Sequence, residues 1–175
     1  VTTPLSIPVE VEIVALLASP LHRYEGRPAD GPRRGGPGEL RESLELRAGL
    51  GIVGDRYFNQ RAHRASSVSV QSAEALEAAA ADLGVPVPGL RETRRNVLLR
   101  GADVDALVRV PFSLDSGDGP IRFGDVRACN PCAWMDTAIA PGAFKALRQR
   151  GGLRTGPLDD GVLRLGRAML TLLGD

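Results

Sequence analysis

Cys129-Asn130-Pro131-Cys132 is the segment of this chain richest in reactive chemistry: two thiols at C-x-x-C spacing, followed by Ala133 and Trp134. That spacing serves three purposes in proteins. It forms a dithiol redox pair, supplies half of a zinc site, or frames one reactive thiolate. Zinc requires two further ligands, and the histidines of the chain, His22 and His63, stand at unrelated spacing. A thioredoxin-like pair opens a helix after a strand, whereas here Pro131 and Pro141 bracket a segment without helical periodicity. What remains is a pair of inert buried thiols, or a single functional Cys132 whose thiolate is favoured by nearby cations.

The cations are almost all guanidinium groups. Lys145 is the one lysine among 22 basic residues, and an arginine fork suits oxyanions better than a point charge does. Arg94-Arg95-Asn96 precedes the apolar Val97-Leu98-Leu99; two forks and an amide at a strand mouth grip a phosphate or a planar heterocycle, or are simply solvated. Gly51-Ile52-Val53-Gly54-Asp55-Arg56-Tyr57-Phe58 has two glycines three apart, then a carboxylate and a guanidinium. It lacks the G-x-G-x-x-G of a dinucleotide fingerprint. His63-Arg64 stands just before an alternating S-V-S-V and is a candidate anion contact. Lys145, with Arg148 and Arg150, ends a helical pattern at Gly151-Gly152, which is ordinary dipole complementarity unless the fold draws it into a site.

Those residues need elements to hold them. Residues 9–18 (VEVEIVALLA) begin with alternation and end in an apolar run, which predicts a strand entering a core. Residues 44–47, 67–70, 96–99, 110–114 and 121–128 also read as strands, and 162–165 and 168–173 as closing strands around Gly166. Residues 49–54, with three glycines, read as a turn region. Ser72 is a good N-cap for a helix running to about Leu83, with Glu74 in its first turn and Gly84 at its end. A second helix is expected over 143–150. Residues 27–38 (RPADGPRRGGPG) read as an exposed surface loop, an idle insertion between strands.

Composition agrees. With 175 residues, one domain over 1–175 is expected, with its core at about 11–172. Gly (21) and Pro (13) are abundant, which favours many tight turns over a helix bundle. The fold class is therefore mainly β with short helices (α+β), a β-barrel with helical additions. The 22 basic and 21 acidic residues leave a net charge of +1, so no bulk field drives binding to nucleic acid or to a membrane. No apolar run approaches the ~20 residues of a membrane span. No signal peptide is visible from Val1 onward, and two cysteines make no disulfide framework, so a cytoplasmic location is expected.

Taken in order, these motifs resemble the MOSC family, the domain type named after the C-terminal domain of molybdenum-cofactor sulfurase. The resemblance runs through G-I-x-G-D-R-Y at 51–57, Arg64 and V-S-V, Glu74, R-R-N at 94–96, Gly101, F-G-D at 123–125, P-C at 131–132 and K-A-L-x-x-R-G-G-L at 145–153. It implies a MOSC-type β-barrel, a stand-alone member, and a cleft that binds a molybdopterin-type molybdenum cofactor or carries sulfur on one cysteine; the guanidinium-lined pocket around that cysteine is expected at the open end of the fold. It implies that Cys132 ligates molybdenum or bears the sulfur. Asp55, Arg56, His63, Arg64, Arg94, Arg95, Asn96 and Lys145 are then the candidate cofactor-binding residues. The resemblance implies either reduction of small N-hydroxylated molecules, ranked first, or cofactor sulfuration, and a redox or sulfur-donor protein as partner. The chain departs from the family pattern at 161–167, where Arg167 reverses the usual charge, and in the 27–38 insertion. A non-catalytic oxyanion-binding module and a C-x-x-C thiol redox protein are the alternatives.

Overall fold

The computed structural model describes residues 7–174, so the expectation about a signal peptide in the first residues lies outside the described residues. The chain forms β1 (Val9–Leu17), β2 (Leu40–Arg41), β3 (Ser43–Arg47), β4 (Gly51–Ile52) and β5 (Val68–Ser72), followed by α1 (Ala73–Leu83) and α2 (Leu90–Thr93). It continues with β6 (Val97–Arg100), β7 (Phe112–Asp115), β8 (Ile121–Ala128), α3 (Trp134–Ala138), α4 (Ala143–Ala146), β9 (Leu153–Pro157), β10 (Gly161–Arg164) and β11 (Gly166–Leu172). The fold is mainly β, as composition and turn content predict.

Seven strands close a barrel in the order β1-β11-β7-β8-β9-β5-β6, with β6 returning to β1; β2 extends the sheet from β1, and β10-β3-β4 form a separate small sheet. Closure removes the exposed edges that an open sheet would carry. Six of the seven barrel pairings are antiparallel; β5 and β6 run parallel, in register from Val70–Val97 to Ser72–Leu99. A parallel pair needs a long crossover, and α1 with α2 supplies it. Ser72 caps α1 by accepting from the Ala75 amide at 3.2 Å, and Gly84 ends it at φ 66°.

Alternation along the strands sorts two apolar layers. Ile13, Leu16, Val68, Val70, Leu99, Phe112, Phe123, Val126 and Leu153 fill the barrel interior. Their neighbours Leu17 and Leu98 point outward and bury Leu76, Trp134, Met135 and Leu147 between the wall and the helices.

Four expectations change. The helix expected over 143–150 stops at Ala146, because the chain must turn to deliver Arg150, whose carbonyl accepts from Gln71 at 3.1 Å, into β9. The segment between Pro131 and Pro141 holds α3, which tertiary contacts sustain: Trp134 and Met135 are buried, and Asp136 accepts from the Phe144 amide at 2.7 Å. The turn region at 49–54 contains the short strand β4, and β9 went unread. The 27–38 loop is exposed as expected, with a 3-10 turn at Pro28–Asp30, but it is tied down: the Arg33 amide donates to the Arg23 carbonyl at 2.9 Å. Among the described residues, no helix is long and apolar enough to cross a membrane.

Candidate functional site

Four connections meet on the outside of the barrel wall and surround a cavity of about 290 Å³. Ser69 and Arg154 form part of its wall. Their strand neighbours Val68, Val70 and Leu153 belong to the barrel interior, so Ser69 and Arg154 point outward. The pocket is expected at the open end of the fold; the structure places this cavity on the barrel's outer wall. The segments after β1, β4, α2 and β8 supply the remaining sides.

The lining is cationic. Five arginines (23, 56, 94, 95 and 154) and both histidines reach it, and among the described residues no Asp or Glu does. Cys132 is solvent-exposed and lines the cavity; Cys129, half-buried, lines it as well. Among the described residues, no three His, Cys, Asp or Glu side chains cluster as a metal site. A metal here would therefore bring most of its own donors.

Behind the lining lies a polar frame. The Asp55 side chain is fully buried and does not reach the cavity surface. It accepts from the amides of Ser19 and Tyr57 and from Asn96 Nδ2, each at 3.2 Å, and from Arg56 at 3.3 Å. The Asn96 carboxamide is committed too. Its oxygen accepts from the Ser69 amide and hydroxyl at 3.0 Å, and its nitrogen donates to Leu17 and Asp55. A buried amide with its donors and acceptor engaged fixes the joint between β1, β5 and β6.

The predicted arginines direct hydrogen bonds into the protein frame around the cavity. Arg94 pairs with Glu39 at 3.1 Å and donates to the Leu21 carbonyl at 3.2 Å. Burial, and then the charge of Arg56, lowers its pKa, while Glu39 opposes both. Burial pushes the Glu39 carboxyl up, but the Ser19 hydroxyl and the Arg94 guanidinium outweigh it and hold the group below the usual carboxylate range. Arg95 donates to three carbonyls, Gly151, Thr93 and Cys129, at 3.0, 3.0 and 3.1 Å. It thereby ties the start of the cysteine loop to the entry of β9. Arg56 donates to the Arg94 carbonyl at 3.1 Å and lies 4.7 Å over the Tyr57 ring. Nε of Arg94 is buried without a partner.

Rings complete the walls. Tyr24 stacks on Trp134 with centroids 5.3 Å apart, and its hydroxyl donates to the Glu92 carbonyl. Burial pushes the Tyr24 pKa up to about 12, against the lowering effect of Arg23 and Arg94. Tyr57 joins the two histidines: His63 lies 4.6 Å from its ring centroid and His22 5.6 Å.

Of the candidate residues, Cys132, Arg56, His63, Arg94, Arg95 and Asn96 come together around the cavity. Asp55 stands behind it. Arg64 does not line it; the carbonyl of Arg64 lies against Gly156. Lys145 is exposed on α4, in a separate groove beside Asp82 and Gly142. His22, Arg23, Tyr24, Tyr57, Trp134 and Arg154 line the cavity and were not singled out in the sequence. Trp134 follows Cys132 by two positions, a signal that was available. Arg154 lies on the unread strand β9.

No family model and no curated protein matches the chain. Solved structures do. The YuaD protein from Bacillus subtilis aligns with TM-score 0.70 at 14% identity, over 98% of this chain and 100% of that one. YiiM from Escherichia coli aligns with TM-score 0.56 at 13% identity, over 94% and 70%. A hypothetical protein aligns with TM-score 0.59 at 12% identity, over 96% and 70%. At these identities the likeness is one of fold, and the chain shares with these proteins a mainly β barrel carrying short helices.

Proposed function

We propose that this is a MOSC-type domain that holds a molybdopterin-type molybdenum cofactor in the outer-wall cavity, with Cys132 as its protein ligand, and reduces small N-hydroxylated molecules. The observation that carries the reading is one exposed thiol on a cavity whose charged lining is entirely basic. The donor set fits such a group. A soft thiolate suits a metal already bound by sulfur, guanidinium forks suit a phosphate tail, and the Tyr24–Trp134 stack offers a flat apolar face to a fused ring. The buried, unpartnered Nε of Arg94 is a further donor beside the cavity.

Within this reading, Arg56 and Arg23 hold the anionic part. Arg94 is largely committed to Glu39 and Leu21, so its task is to shape the wall. Arg95 orients Cys132 indirectly, through the Cys129 carbonyl. When bound, the cofactor supplies two-electron redox chemistry. Reduction of an N–O bond also consumes two protons and releases water; imidazole is the side chain suited to moving protons near neutral pH, and Nδ1 or Nε2 of His63 and His22 stand at the rim. Electrons come from an external redox protein.

Sulfur carriage on Cys132 is the second reading, favoured by its exposure, which lets a donor protein reach the thiol. One experiment tests both. Wild-type protein and Cys132→Ala are expressed with molybdate, then analysed for molybdenum content and by intact mass. The first reading predicts molybdenum in the wild type and its loss in the variant. The second predicts a wild-type mass heavier by one reducible sulfur atom. Equal molybdenum in both proteins, without added sulfur, contradicts the role given to Cys132. Replacing Cys129 separates the dithiol alternative, since that change disables a redox pair and spares a single-thiolate site.

A further inference from the structure

Arg127 on β8 stands directly opposite Arg154 on β9 in antiparallel register, and Arg154 stands opposite Ser69 on β5. Residues opposite one another in a sheet project from the same face. The row Ser69–Arg154–Arg127 therefore runs along the outer wall from inside the cavity to the surface beyond it. Directly opposed like charges destabilise a sheet, and nothing in the fold relieves this pair. Among the described residues, neither guanidinium forms an ion pair or a hydrogen bond, and both side chains are exposed. Exposed arginines such as Arg47, Arg100, Arg122 and Arg164 have carboxylate partners and others such as Arg34, Arg41 and Arg91 have none among the described residues, so it is the direct cross-strand opposition that sets this pair apart. The nearest acid in sequence, Asp125, lies in the irregularity between Gly124 and Arg127 and bonds to neither. The turn at Arg61–Ser66 rests on the same face: the Arg64 carbonyl would lie 2.5 Å from a Cβ at Gly156, two residues from Arg154.

We infer that Arg127 and Arg154 form a second anion subsite at the cavity rim, so that the ligand carries two linked anionic groups, as a diphosphate does. The first group lies inside, against Arg23 and Arg56; the second sits between the two opposed forks, where it neutralises their repulsion. The inference rests on reading the cavity as an anion site. A small ligand fits better than an acidic protein face, because Arg154 belongs to the cavity lining and joins the row to it. Two forks side by side also match the several oxygens of a phosphate group.

Calorimetric titration of the full chain with inorganic phosphate and inorganic pyrophosphate, at equal ionic strength, tests this. Wild-type protein is expected to bind pyrophosphate about tenfold more tightly than phosphate. Arg127→Gln and Arg154→Gln are each expected to remove most of that preference. Pyrophosphate bound no better than phosphate, or a preference untouched by Arg127→Gln, overturns the second subsite and leaves the cavity reading standing. Binding of neither anion overturns both. A hexaglutamate peptide bound more tightly than pyrophosphate, and lost in Arg127→Gln, assigns the row to an acidic polypeptide and overturns the inference.

Discussion

The side chains of Glu39 and Arg94 are 4% and 5% exposed, and a buried ion pair is vulnerable to the loss of either partner, since the survivor keeps a charge it cannot solvate. Glu39→Gln is therefore expected to lower unfolding free energy at neutral pH by about 3 kcal/mol, measured by urea denaturation. The folded-state pKa of Glu39 is depressed below its ordinary 4.5. Its contribution is full above that value and is lost as pH falls through the lower folded value. The gap between wild type and variant should narrow across that acid window and stay constant above it. Arg95→Lys removes the fork that joins three carbonyls. It should cost about 2 kcal/mol and speed the reaction of Cys132 with a thiol reagent, read by stopped-flow absorbance; an unchanged rate would show that Arg95 does not hold the cysteine loop. The sequence made Arg94, Arg95 and Asn96 legible as hydrogen-bonding residues beside a strand. It did not show that much of their capacity serves the protein's own backbone, because the orphan carbonyls of the loop ends become visible only once the chain is folded.

Gly151-Gly152 reads in sequence as the stop of a helix, yet α4 ends at Ala146, well before it. The glycines answer another demand. A Cβ on Gly151 would meet the Cys129 carbonyl oxygen at 2.1 Å, and one on Gly152, at φ 77°, the Val70 carbonyl oxygen at 2.1 Å. Both clashes are with backbone, so neither yields to a rotamer change. Gly152→Ala is expected to destabilise the protein by at least about 2 kcal/mol, or to prevent its folding, as read by thermal melting. A melting temperature within 1–2 °C of wild type would contradict the close approach. On the neighbouring strands the opposite sign is expected. Arg127→Glu replaces a like-charged cross-strand pair with an opposite one and should stabilise by about 0.5 kcal/mol, while weakening pyrophosphate binding. Strands with clean alternation, such as 9–17 and 121–128, were readable because one face is buried and the other is wet. β9, with Gly156 and Pro157 in a five-residue strand, has too little pattern to announce itself, and Arg154 went unnoticed with it.

The barrel closes by joining the two ends of the chain, with β1 against β11 from Val9–Leu170 to Ile13–Gly166, and no local pattern encodes such a pairing. Strand number and turn content made a barrel legible; the position of the cavity was not. It forms outside the wall because α1, α2 and α3 cover one flank and leave their connecting loops to meet above Ser69 and Arg154. Cys132, the arginines and the rings are consequently brought together by four connections far apart in sequence. The central claim is that the Cys132 sulfur binds the metal of a cofactor held in that cavity. X-ray absorption at the molybdenum edge, on wild type and Cys132→Ala purified under the same conditions, tests it most directly. The account predicts one more sulfur neighbour around molybdenum in the wild type than in any metal the variant retains. An identical sulfur count in the two proteins, at equal metal content, would contradict it.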